Sequence, residues 1–218
     1  MISPTTRLPG VTLTLPADFH LLPLEADLAR RVSSQSALLD ELPMAEGGRR
    51  ELVALYLEAM STQLRGADIA GAAFCAVRIG DHASTATVTV GFHDTATTDR
   101  TLSLLGTVAT LRGSSSATGV ETTACAGQPA ARWVVERSLA PEADEPVVMR
   151  ELQVLVQAPD VPVAVLLSLA TPMLEDWDLY VEVMHGICDS LRFTPASDPE
   201  GGASAQVLLL PTAVPADR

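Results

Sequence analysis

Acid–base, metal or nucleophilic chemistry in this chain would have to come from four histidines, three cysteines and a few clusters of carboxylates and arginines. His82 and His93 bracket a run that reads as a strand. An extended chain rising about 3.3 Å per residue holds them about 35 Å apart, too far to share a metal or a proton. His82 falls in a turn and His93, next to Asp94, at a strand exit. His20 sits in an entry loop, and His185 beside the apolar stripe of the last helix. None of them opens a metal motif such as HExxH.

Cys75 lies on the apolar face of a strand and Cys188 in a helix stripe, so both read as small core residues. Cys125, in TTACAG near a loop, is the accessible one. No CxxC pair supports zinc, and GSSSATG follows a helix without matching the GxSxG elbow of a serine hydrolase. Glu175, Asp176 and Asp178 fall in the first turn of a helix, where the dipole favours carboxylates. Glu142, Asp144 and Glu145 form an acidic hairpin tip without the spacing of a calcium loop. Arg30-Arg31 and Arg49-Arg50 lie in or beside the first two helices, in reach of surface ion pairs or of a partner, since Arg suits bidentate contacts. No catalytic, cofactor-binding or metal-ligating residue is assigned on these grounds, and no cofactor is expected.

Stepping outward to composition, the chain of 218 residues carries 27 acidic against 14 basic residues, a formal charge of -13. That balance opposes the phosphate backbone of nucleic acid and anionic membrane surfaces. Every basic residue is Arg, and Lys and Asn are both missing, the codon bias of a GC-rich, actinobacterial type of genome. Without Lys, Schiff-base enzymes and P-loop nucleotide hydrolases are excluded. Aromatic residues make up 4%, so Ala, Val and Leu must fill the core. No run approaches the apolar length of a membrane span, the N-terminus lacks the pattern of a secretory signal, and the cysteines form no disulfide framework. A reducing cytoplasm is the expected compartment.

The elements that must position these groups follow from periodicity. Residues 11–15 alternate as a strand. A helical pattern then places Leu24, Leu28, Val32, Leu39 and Leu42 on one face, ending at Pro43 and Gly47-Gly48. A second helix over 49–65 carries Val53, Tyr56, Met60 and Leu64, with Gly66 as its stop. Strands over 70–79 and 84–92 form a hairpin, a third helix spans 97–112, and three more strands fit 129–138, 146–157 and 162–170. Short links make an antiparallel meander the economical topology. A last helix over 173–192 carries Leu174, Trp177, Val181, Met184, Cys188 and Leu191 as a stripe that must lie on the sheet. From Pro195 the composition is that of a mobile tail, apart from the apolar island Val207-Leu208-Leu209-Leu210, which is expected to add an edge strand to its own sheet or to another protein.

The run VPVAVLLSLATPMLEDWDLYVEVMHGICDSLRF, with GQPAARWVVE and LPADF upstream, resembles the PsbP-like α/β sandwich superfamily and its LpqN-type lipoprotein relatives. The resemblance covers about residues 11–193 and is specific over roughly the last 35 of them. It implies a fold and no catalytic motif, and it favours binding, accessory or assembly roles. The chain departs from the pattern by its enlarged helical segment at 24–65.

The expectation is therefore an α+β fold, an antiparallel sheet of about five to seven strands packed by helices. One domain would span 1–194, with a flexible tail over 195–218. The expected function is a non-catalytic protein-binding or assembly-accessory role, with a partner protein, a possible homo-oligomer and contacts through Arg30, Arg31, Arg49, Arg50 and Val207, Leu208, Leu209 and Leu210. The alternatives are a small-ligand carrier with a cleft between sheet and helices, or a hydrolase-type enzyme assembled from scattered residues such as His20, His93 and Cys125.

Overall fold

Most of the strands alternate well enough to offer an apolar face to a core, and the chain assembles them into two sheets. The computed structural model describes residues 9–41, 49–67, 69–139, 147–194 and 207–211. Along them run β1 (Gly10–Leu15), β2 (Phe19–Leu21), α1 (Leu28–Glu41), α2 (Arg49–Gly66), β3 (Ile69–Ile79), β4 (His82–Asp94) and α3 (Arg100–Arg112). There follow β5 (Ala117–Cys125), β6 (Gln128–Leu139), β7 (Val147–Gln157), β8 (Val163–Thr171), α4 (Trp177–Ser190), β9 (Arg192–Thr194) and β10 (Val207–Pro211). A single 3-10 turn, Leu174–Asp176, leads into α4. The larger sheet has seven antiparallel strands in the order β2-β3-β4-β8-β7-β6-β5, and the smaller has the order β10-β1-β9. The fold is α+β, as the sequence leads one to expect.

The first face of the seven-stranded sheet is sealed. Ala86, Val88 and Val90 of β4 and Val163, Val165, Leu167 and Leu169 of β8 point to one side and are buried. On them lie Tyr180, Met184, Ile187, Cys188 and Leu191 from α4 and its end, with Val11, Leu13 and Leu15 of β1. The helix stripe expected from the sequence is shifted: Leu174 is exposed, and Tyr180 and Ile187 take buried places.

The second face is covered in two separate patches. Leu38 and Leu39 of α1 and Leu57 of α2 pack on Ala72 and Phe74 of β3. At the far end, Val108 of α3 packs on Ala131, Trp133 and Val135 of β6. Between the patches the register sets Thr89, Ser168 and Gln153 in one row, with Glu151 accepting hydrogen bonds from Ser168 and from Gln153, the latter at 2.6 Å. This middle strip is polar, so the second face carries no continuous core.

The first helix turns a different face inward from the one expected. Leu28 and Val32 are exposed, and Arg31 and Gln35 are buried with Leu38 and Leu39. The reason is Glu58 on α2. Arg31 donates to it through Nε and Nη2 (2.9 Å), and Gln35 Nε2 donates at 2.6 Å. Arg31, expected at a partner surface, is thus buried and engaged inside the helix pair. Arg50 bonds Asp40 at 2.6 Å across the same pair, Arg30 is exposed, and the side chain of Arg49 lies outside the described residues, as do those of Val53 and Tyr56. Leu42, Pro43, Gly47, Gly48 and the acidic Glu142, Asp144 and Glu145 lie outside them as well.

The segment read as a tail contains a strand. β10 pairs parallel to β1, from Val11 opposite Val207 to Leu15 opposite Pro211. Leu209 is buried and Val207 packs on the main core, whereas Leu208 and Leu210 stay exposed. Gly71 makes room for it: a Cβ there would stand 2.8 Å from Val207 Cγ1, at a break in the β3–β4 register. Three strands escaped the sequence reading. β2 and β9 have 3 residues each, and β5 is rich in Thr, with a mostly exposed pattern and no strict alternation.

Two outcomes follow from these contacts. Glu58 is held down from the ordinary 4.5 to about 2, first by the Arg31 hydrogen bond and then by Gln35. A depressed carboxyl contributes stability that is complete above the unfolded value and disappears as pH falls toward the folded one. Acid melting curves should therefore lose stability between pH 4.5 and about 2, and Glu58→Gln should be less stable at neutral pH with a flatter slope in that window. Parallel slopes for the two proteins would remove Arg31–Glu58 from the account. Gly71→Val should cost about 1–3 kcal/mol by overpacking and speed amide exchange at Leu208–Leu210, and unchanged exchange there would show that β10 is seated by other contacts.

Candidate binding site

The third helix is anchored at its ends and hollow beside its middle. Asp99 caps it, its Oδ1 accepting from the Thr101 and Leu102 amides at 2.9 and 3.1 Å. Ser103 Oγ donates to Gln157 Oε1 at 2.7 Å, tying the first turn to the end of β7. Leu104, Val108 and Leu111 then form the stripe that meets β6. The neighbouring stripe is made of small residues, Ser103, Gly106, Thr107 and Thr110, and it faces a cleft of about 440 Å³.

Trp133, Leu155 and Leu166 floor this cleft. They come from adjacent strands at nearly the same level, because Leu155 pairs with Leu166 and Gln153, two residues earlier, pairs with Trp133. Leu102, 60% exposed, stands at the edge, and His93, Thr95 and Thr97 form the rim. Burial keeps the His93 imidazole below its ordinary value, toward the neutral form. A Cβ at Gly106 would meet nothing within 4 Å, so the glycine is not there to let two backbones approach.

A wider hollow of about 580 Å³ opens near the β5–β6 turn, lined by Arg100, Gln128, Asp189, Arg192 and Phe193. Its cations are turned onto its own wall. Arg100 donates to Gln128, and Arg192 Nη1 donates to the carbonyls of Asp189 and Leu191 at 2.9 and 2.7 Å. The α3 cleft, with an apolar floor and few fixed polar groups, is the better receptor.

The titratable groups converge elsewhere, on the opposite face. His82 is not a bare turn residue: its Nε2 lies 2.9 Å from Asp176 Oδ2 and 3.3 Å from Glu175 Oε1. Asp176 is buried and makes no capping bond at the start of α4, so the helix-dipole reading of this carboxylate gives way to a side-chain network. Ser84 Oγ donates to Asp176 Oδ2 at 2.5 Å and lies 2.8 Å from the Tyr180 hydroxyl. The Ser84 bond, then His82, hold the Asp176 carboxyl below its ordinary value, and Asp176 in turn raises His82. Burial lifts Tyr180 and Cys75 each to about 12. The order Ser–Asp–His puts the carboxylate between hydroxyl and imidazole, so the histidine cannot take the serine proton.

The scattered groups of the enzyme alternative are not brought together. His20 on β2 and Cys125 on β5 stand on opposite edges of the sheet, six strand spacings or about 29 Å apart, and His93 points to the face away from Cys125. Cys125, expected to be accessible, is fully buried, its thiol donating to the Cys188 carbonyl at 3.2 Å. Contact with Cys188 and burial push that thiol upward. His185 meets Arg132 at 2.7 Å on the surface. Ser84 and Tyr180 were not singled out by sequence. Their one signal is that Ser84 interrupts the apolar edge of β4 and Tyr180 falls one turn from Met184, a hydroxyl on each side of one core.

Among the described residues no helix is long and apolar enough to cross a membrane. No protein-family profile and no curated protein matches the chain. Among solved structures, the crystal structure of LpqN, involved in cell envelope biogenesis of Mycobacterium tuberculosis, is similar to it, with 14% identity, 87% of this chain and 86% of that one covered, and a TM-score of 0.47.

Proposed function

We propose that the protein is a non-catalytic binding protein that takes a small, neutral, mainly apolar ligand into the cleft between α3 and the sheet. The observation that carries this reading is the unfilled space at Gly106. Glycine inside a helix costs about 1 kcal/mol relative to alanine, and here no close backbone approach accounts for it. The cleft volume of about 440 Å³ is of small-molecule size. Trp133, Leu155 and Leu166 would hold the apolar body, and the threonine hydroxyls at the mouth would meet a polar end. No arginine is among the described lining residues, and the chain has no Lys, so an anion would find no counter-charge.

The same proposal reads the architecture as a PsbP-like sandwich and the compartment as reducing. Support comes from the strand-to-helix run that ends in Leu191-Arg192-Phe193 over the first face, and from three cysteines that are buried and free of disulfides. A second reading, contact with a partner protein through the helix pair, is favoured by Leu28 and Val32, one turn apart on α1 and more than half exposed, with Leu55 exposed on α2. Sedimentation velocity should then show association that Val32→Glu abolishes, and a monomer at all concentrations, with no partner in cross-linking, would end that reading.

Titration of the full chain with the uncharged dye Nile red should give saturable, one-to-one fluorescence enhancement. Gly106→Leu should weaken it at least tenfold while the thermal transition is kept. Gly106→Ala should raise stability by about 1 kcal/mol, or about 2–4 °C in Tm, and weaken the dye less. Equal dye binding by all three proteins would place the ligand elsewhere.

A further inference from the structure

We propose that His82 Nε2, Glu175 Oε1 and Asp176 Oδ2 form a site for a divalent transition cation of the zinc class, with a fourth position open to solvent. The three atoms lie within 4.8 Å of one another. The imidazole nitrogen is 2.9 Å from one carboxylate oxygen and 3.3 Å from the other. Four bonds of about 2.0 Å in a tetrahedron give ligand-to-ligand edges of about 3.3 Å, so an ion enters with small shifts of three side chains. One neutral imidazole and two carboxylates balance a charge of +2, and this donor mixture suits zinc better than calcium or magnesium, which prefer all-oxygen shells.

Asp176 supplies an independent argument. It is 8% exposed, stands where a helix-capping carboxylate would stand, and makes no capping bond. No arginine pairs with it among the described residues, and His82 is its one ion-pair partner there. Buried charges are paired or coordinate metals.

The surroundings fit an ion as well. Ser84, fully buried, donates to Asp176, and Tyr180 backs Ser84, an outer layer that fixes the carboxylate in orientation. His82 is 39% and Glu175 62% exposed, so an ion reaches the site from solvent and keeps water on its open side. Cys75, beyond Tyr180, is buried with its thiol at about 12, so no thiolate competes. The site lies on the face of the sheet opposite the α3 cleft and does not depend on that cleft binding anything.

The test is isothermal titration of the chelator-treated full chain with zinc, followed by the visible spectrum of the cobalt-substituted protein. One equivalent should bind, with tetrahedral cobalt bands and no sulfur charge-transfer absorption. His82→Gln should weaken binding at least tenfold. Glu175→Gln, at an exposed position, removes the charge of one of the three ligands and should weaken it by about tenfold or more. His185→Gln should bind as the parent does. Absence of saturable binding, full affinity in Glu175→Gln, or a cobalt–sulfur band would overturn the proposal.

Discussion

Everything in this protein hangs on the pairing of β4 with β8. These strands are not neighbours in sequence, yet they meet in the middle of the sheet from Thr87 opposite Ala170 to Asp94 opposite Val163. Side chains alternate with a period of two, so this register sends Val88, Val90, Leu167 and Leu169 to the sealed face and Thr87, Thr89 and Ser168 to the other. A slip of one residue would exchange the two sets and bury hydroxyls where α4 and β1 now meet aliphatic carbon. The same register divides the second face into two helix-covered patches with a polar strip between them. The cleft under α3 is the margin of one such patch, where the floor is still apolar but the helix has turned a small-residue stripe toward it.

How much of this was legible in the sequence depended on how each residue met its neighbours. Long strands with clean alternation, such as β4 and β8, and the last helix were readable because a local period reports a single buried side. The first helix misled, because Leu28 and Val32 extended an apolar stripe, whereas the buried side joins Arg31 and Gln35 to Leu38 and Leu39. That choice depends on Glu58, 27 positions from Arg31 and on another helix, which no local pattern encodes. The Asp176 network has the same origin: two of its members are 92 positions apart. A carboxylate at a helix start looks ordinary until the strand behind it is in place. The cleft could be named in advance only as a type, since a glycine in a helix announces a cost and not what the cost leaves open.

The two faces divide the labour. The sealed face holds the three cysteines, the Ser84 and Tyr180 hydroxyls and the charged network at its rim. The split face holds the helix pair, the polar strip and the cleft, and its core is divided between two patches. The surface network at His82 and the cleft at Gly106 are separated by the full thickness of the sheet, so neither has to yield for the other to act.

The seating of β10 beside β1 has a consequence for how the molecule comes into being. β1 leaves the ribosome long before its parallel neighbour is made, and a parallel pair so far apart in sequence is slow to close. Until residue 207 emerges, one edge of β1 has no neighbour, and the space against Gly71 is unfilled. The nascent chain therefore carries an open strand edge from the making of β1 to the making of β10, the kind of edge through which incomplete chains pair with one another.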